Sequence, residues 1–143
     1  MQYWLFKSEP DVWSWQQQLA KAPECEEWSG VRNYQARNNM RAMRPGDRGF
    51  FYHSNRDRAI MGIVEVCNPA HPDSTSDDPR WECVDVRAVA ALPRPVTLAE
   101  IKADPRLSEM ALVRMSRLSV QPVRPGEWAV ILELAGMPRD PAP

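Results

Sequence analysis

Trp28-Ser-Gly-Val-Arg-Asn-Tyr-Gln-Ala-Arg-Asn-Asn-Met-Arg-Ala-Met-Arg-Pro-Gly-Asp47, running on into Phe50-Phe-Tyr-His-Ser54, reads as a helix that delivers the chain into a strand. From Asn33, a residue type suited to a helix N-cap, Ala36, Met40 and Met43 fall at i, i+4 and i+7 and form an apolar stripe. Arg37, Arg41 and Arg44 repeat that spacing one step round, as a parallel basic stripe. Pro45-Gly46 closes the helix, and Asp47 to His53 follows as a strand. Seven arginines lie from Arg32 to Arg58 against only Asp47 and Asp57, in a chain whose net charge is -1. That local excess suits a partner bearing phosphates, because the planar fork of arginine matches their oxygens. A solvated helix face explains the spacing about equally well.

Working outward, Gln2 to Lys7 alternates bulky residues and predicts a buried first strand. Ser8-Glu-Pro-Asp11 predicts a helix start with Pro10 in the first turn, Val12, Trp15 and Leu19 on one face, and an end before Pro23. Downstream, Ser54 to Arg58 is a polar turn, Ile60 to Val66 a third strand, Asn68 to Pro79 a loop, and Trp81 to Leu92 a long fourth strand. Thr97-Leu-Ala-Glu100 is a capping box for a short helix to about Ala103. Ser108 to Met115 predicts a further helical turn or two, and Leu118 to Val123 a last strand. Pro125-Gly-Glu opens a final helix with Trp128, Ile131, Leu132 and Ala135 on one face. Strands interspersed with short helices give an α+β domain around a mixed, strongly curved sheet. Periodicity leaves open whether that sheet closes into a barrel.

A chain of 143 residues fits one domain, here 1–137, with a frayed tail over 138–143. At 43% hydrophobic and 26% charged it is expected to be soluble, with a real core. The opening residues are too soon charged for a signal peptide, and no apolar run approaches a membrane span, so no membrane partner is expected. Cys25, Cys67 and Cys83 are odd in number, widely spaced and lack a CxxC pattern. They read as reduced thiols in a cytoplasmic protein, neither a disulfide frame nor a zinc site. His71 with Asp73, Asp77 and Asp78 lacks regular ligand spacing and reads as a solvated acidic turn. No metal and no cofactor is expected, and no Ser–His–Asp or Cys–His set is visible.

Several further words carry a resemblance. Tyr3-Trp-Leu-Phe-Lys-Ser-Glu-Pro10, Trp28 to Asn38, Phe51-Tyr-His-Ser-Asn55, Gly62-Ile-Val-Glu-Val66, Pro95-Val-Thr-Leu98 and Ser116-Arg-Leu-Ser-Val-Gln-Pro-Val123 closely resemble the EVE domain family, in order and over nearly the full length. The resemblance implies a PUA-like fold, a mixed β-barrel flanked by short helices and related to the YTH domains. It also implies a pocket for a modified nucleobase, methylated or hydroxymethylated, in DNA or RNA. Lys7-Ser8 after the first strand, Trp28 before the second helix, and Tyr52 to Asn55 at a strand end look like the YTH pocket pattern. The arginine-asparagine helix is the EVE pattern instead.

Reading a base needs a flat aromatic wall, worth roughly 1–3 kcal/mol per stacked base, and fixed polar groups that match its edge. On this resemblance Trp28 and Tyr52 are candidates for the wall. Lys7, Ser8, Asn33, Tyr34, Asn38, Ser54, Arg117 and Ser119 are candidates for the rest of the pocket. Arg32, Arg37, Arg41, Arg44 and Arg114 are candidates for phosphates. Plain readings stand beside these: Trp4, Trp13, Trp15, Trp81 and Trp128 as packing, Ser8 and Asn33 as helix caps. An isolated reader also implies an effector protein as partner. The alternatives are a sensor of free nucleosides, or a nucleoside amidohydrolase-like enzyme using Lys7 and Glu9, as in PUA-like relatives of the ASCH group.

Overall fold

The computed structural model describes residues 1–141. Six strands and five helices follow the order β1 (Tyr3–Ser8), α1 (Trp15–Lys21), β2 (Glu26–Glu27), α2 (Tyr34–Ala42), β3 (Arg48–His53), β4 (Ala59–Pro72), β5 (Glu82–Thr97), α3 (Leu98–Ala103), α4 (Ala111–Arg114), β6 (Val120–Val123) and α5 (Pro125–Ala135). They form one mixed sheet of order β2-β5-β4-β3-β1-β6. The β1–β3 pair is parallel and the other pairs are antiparallel. The sheet curls without closing into a barrel, since β2 and β6 remain edges. Register breaks between Phe51 and Tyr52 and at four points along β4–β5 supply the bending.

Both faces of the sheet are covered, which is why β1 and β3 read as nearly unbroken apolar runs. Strand alternation sends Trp4, Phe6, Phe51, Val64 and Val66 to one face, where Trp15 of α1 and Ala36 and Met40 of α2 pack. Leu5, Phe50, Tyr52, Ile60 and Ile63 go to the other face, against Ile101, Leu112, Trp128 and Ile131 of the later helices. Among the described residues no helix is long and apolar enough to cross a membrane.

Four expectations need correction. Helix α1 begins at Trp15, not near Ser8, because Ser14 and Gln17 cap each other reciprocally. The Ser8 hydroxyl donates to the Trp13 carbonyl instead, and Val12 and Leu19 are exposed rather than core. Strand β4 runs to Pro72, taking the first five residues of the expected loop and leaving 73–79 outside the strand, because β5 continues to offer it partners as far as Glu82. Cys25 and Cys67 are joined as a disulfide across 42 residues, leaving Cys83 as the free, buried thiol. Sequence spacing hid that pair: β2, which Cys25 immediately precedes, and β4, which holds Cys67, flank the same strand β5, and this brings the two cysteines together. The tail, expected to fray from Pro138, is docked over its described part. Asp140 accepts from Tyr3 Oη at 3.1 Å and from Trp128 Nε1 at 2.5 Å, and Arg48 reaches the Pro141 carbonyl. The expectation for 142–143 lies outside the described residues.

Candidate nucleic-acid interface

The site is built where three strands end together. Strand β1 finishes at Lys7-Ser8, the Lys7 N–H donates to the Ser119 carbonyl at 2.9 Å, and β2 leads directly into Trp28. Between them opens a cavity of about 410 Å³, lined by Lys7, Glu9, Trp13, Trp28, Arg32 and Ser119 among others. That size holds one flat ring system.

Trp28 is 7% exposed. Its ring stands edge-on to Phe6 at 5.1 Å and to Phe51 at 5.5 Å, so its orientation is fixed by the core behind it. Trp13, expected to be plain packing, also lines the cavity and is held by its Nε1–H donating to Gln18 Oε1 at 2.9 Å. The turn that places it is made by the Val12 and Trp13 N–H groups, which both donate to the Glu9 carbonyl. Its only sequence signal was the five-residue spacing from Ser8, too weak to identify it.

The wall from Trp28 to Arg32 is tied to the β4–β5 loop by Asp73. This carboxylate accepts from the Gly30 N–H at 2.8 Å, from Arg32 at 3.1 Å and from the Thr75 N–H at 2.8 Å. Burial alone would raise its pKa. The hydrogen bonds from Thr75, Gly30 and Arg32 outweigh that and hold it at about 2. Gly30 sits at φ 87, a left-handed conformation that favours glycine.

Lys7 is half-buried, and desolvation pushes its ammonium pKa below the ordinary lysine value. Its Nζ donates to the Ser116 carbonyl at 2.6 Å. Glu9, Glu26 and Glu27 line the cavity against Lys7 and Arg32, so its wall carries more negative than positive side chains. Such a wall accepts hydrogen bonds from a base and repels a phosphate.

Not every candidate meets in this cavity. Tyr52 lies on the opposite face of the sheet from Trp28, because alternation presents its neighbour Phe51 to Trp28. It lines a separate hollow with Lys7, Ser54 and Arg58. Asn33 caps α2 by accepting the Ala36 N–H at 2.8 Å. Asn38 is occupied by Arg37, while Asn39, not singled out in sequence, donates to the Val120 carbonyl at 2.8 Å.

The arginines divide similarly. Asn33, Arg114 and Arg117 line a second open cleft that begins one residue beyond Arg32 and Ser119 of the first. Beside the cavity, Tyr34 stacks on Trp81 with ring centres 5.1 Å apart. Arg32 lies over the Trp81 ring and Arg37 over the Tyr34 ring, and Arg80 donates to the Tyr34 hydroxyl. Arg41 is paired with Glu82, whereas Arg44 is exposed at the far end of α2.

Residues 2–134 match the EVE domain family. The chain belongs to that family. Mouse thymocyte nuclear protein 1 is 37% identical over 164 residues, covering 92% of this chain and 73% of the mouse protein. A crystal structure of an Agrobacterium tumefaciens protein superposes with TM-score 0.97 at 56% identity, over 99% of this chain and 97% of that one. The crystal structure of human THYN1 protein in complex with 5-methylcytosine containing DNA superposes with TM-score 0.88 at 34% identity, over 99% of this chain and 100% of that one. The EVE relationship agrees with the expected PUA-like architecture of a mixed, strongly curved sheet flanked by short helices, and the closure that periodicity left open is answered by a sheet that curls without closing.

Proposed function

We propose that this EVE domain is a DNA-binding module that takes a modified cytosine, extruded from the strand, into the Trp13–Trp28 cavity. The observation that carries this reading is a base-sized cavity with two tryptophans and carboxylate acceptors, beside an arginine-lined cleft. The kinship with human THYN1, crystallised with 5-methylcytosine containing DNA, supports the choice of ligand. The base stacks on tryptophan, its exocyclic amino group donates to the acidic wall, and a 5-methyl group contacts apolar Val12 or Val31. Arg32, Arg114 and Arg117 hold the flanking phosphates. Extruding a paired base costs a few kcal/mol, so a single strand is the easier target.

The test is a panel of DNA and RNA oligonucleotides carrying cytosine, 5-methylcytosine or 5-hydroxymethylcytosine, measured at two salt concentrations. Selective, salt-sensitive binding to modified DNA is expected; equal affinity for plain and modified strands overturns the reading. Preference for the RNA strands would move the ligand to modified RNA.

One observation favours a second reading. Lys7 and Glu9 line the same cavity although β1 ends at Ser8, a pairing that serves hydrolysis of a modified nucleoside. Turnover of a nucleoside, lost in Lys7→Ala, would establish it; no turnover across the panel removes it.

A further inference from the structure

Four potential ligands from three neighbouring strands converge at the cavity wall, where Glu27 is shared and Glu9 and Glu26 remain as acceptors for a base. Glu27 of β2 pairs in register with Asp85 of β5, and His71 of β4 pairs with Cys83 of β5. Cys83 and Asp85 are two apart on one strand, so their side chains share a face. One donor atom from each of Glu27, His71, Cys83 and Asp85 lies within 4.8 Å of every other. A tetrahedral ion with bonds of about 2.0–2.3 Å separates its ligand atoms by roughly 3.3–3.8 Å. Small side-chain rotations bridge that difference.

We propose that Glu27, His71, Cys83 and Asp85 form a closed, structural zinc site. The donor set is not an acidic patch: thiolate and imidazole together select zinc over the hard cations. Each partly buried ligand also has an outer partner that orients it. His71 Nδ1 lies 3.0 Å from the Pro72 carbonyl, which places its proton there and turns Nε2 toward the cluster. Asp85 accepts from Asn68 at 2.7 Å, and Glu27 accepts from the Ser74 N–H and hydroxyl at 3.0 and 2.6 Å. Among the described residues no lysine or arginine nitrogen lies within 4.0 Å of either carboxylate. Among the described residues the His71 Nε2 to Asp85 contact of 2.8 Å is the ion pair within 4.0 Å there, and a divalent ion replaces its proton.

The ion has a mechanical role. Strand β2 is two residues long and forms the edge of the sheet, yet it carries Trp28 into the base cavity. A four-ligand site clamps β2 to β4 and β5 immediately beneath that wall, whether or not a base is bound.

The test uses the untagged chain with its disulfide intact, stripped by chelator and titrated separately with Zn²⁺ and Co²⁺. Cys83 is then its only thiol. One equivalent of Co²⁺ is expected to bind with a thiolate-to-cobalt charge-transfer band, and Zn²⁺ is expected to displace it and raise the unfolding temperature. Cys83→Ser abolishes the band, and His71→Ala, at a half-exposed position that tolerates substitution, weakens binding by about tenfold or more. Absence of the band in the unmodified chain, or affinity unchanged in His71→Ala, overturns the proposal.

Discussion

Asp73 accepts the backbone N–H of Gly30 at 2.8 Å, fastening the wall of the base cavity to the far loop of the sheet. Its side chain is fully buried and Arg32 is its cationic partner. Asp73→Ala therefore leaves the Gly30 and Thr75 N–H groups without their acceptor, while Arg32 keeps its bonds to the Val31 carbonyl and the Thr75 hydroxyl. The loss is about 1–3 kcal/mol of folding stability, read from urea unfolding. Oligonucleotide affinity falls with it, because the wall from Trp28 to Arg32 loses its fixed position.

The two tryptophans of the cavity differ in what else they support. Trp28 packs on Phe6 and Phe51, so Trp28→Ala costs about 3–5 kcal/mol of stability along with binding. Trp13 is half-buried, and Trp13→Ala isolates the stacking contribution. Its expected effect is a loss of affinity for modified strands of about five- to 150-fold, following from about 1–3 kcal/mol of stacking. Calorimetry of both binding and unfolding separates the two contributions.

Arg117 lines the second cleft beside Arg114, which is paired with Glu109, while Arg41 is engaged by Glu82 away from that cleft. Arg117→Ala weakens binding to modified and plain strands alike and lowers the slope of log Kd against log salt by about 1. Arg41→Ala leaves that slope unchanged. Fluorescence anisotropy at four salt concentrations measures both.

Much of this fold was legible because local signals and burial agree. Asn33, the Ala36–Met40 stripe and the Thr97–Glu100 box placed α2 and α3 to within a residue or two, each being a short-range device. The interface was legible only in pieces. Lys7, Trp28, Arg32 and Ser119 do meet, but Tyr52 does not, since one step along a strand changes the face of the sheet. Trp13, the Cys25–Cys67 disulfide and the Asp73 anchor depend on strand neighbours many residues away, which no periodicity encodes. The helix at Ser8 was misread because two cap signals compete there, and the Ser14–Gln17 box wins.

Gly62 gives a test of how tightly α1 is seated on the sheet. A Cβ at this position would lie 2.3 Å from the Trp15 ring. Trp15 is buried with its ring edge-on to Phe51 at 5.4 Å, and its backbone N–H donates to His53 Nε2 at 2.9 Å, so neither the residue nor its ring has room to withdraw. Gly62→Ala is expected to destabilise the chain by about 1–3 kcal/mol through overpacking, measured by thermal unfolding. The same substitution at exposed Gly126, where a Cβ meets nothing within 4 Å, produces no comparable loss.

The acid response should report the Arg94–Glu100 pair. Arg94 beside Glu100, reinforced by the Thr97 N–H and hydroxyl, holds the Glu100 carboxyl at about 2 against its ordinary 4.5. A carboxylate with a depressed folded-state pKa stabilises the fold above its unfolded value. That contribution is lost as pH falls from about 4.5 to about 2. Glu100→Gln removes it, so the variant's unfolding temperature is lower at neutral pH and declines less steeply through that window. Equal slopes for both proteins would show that the pair does not persist in solution, where salt and solvent screen a partly exposed contact.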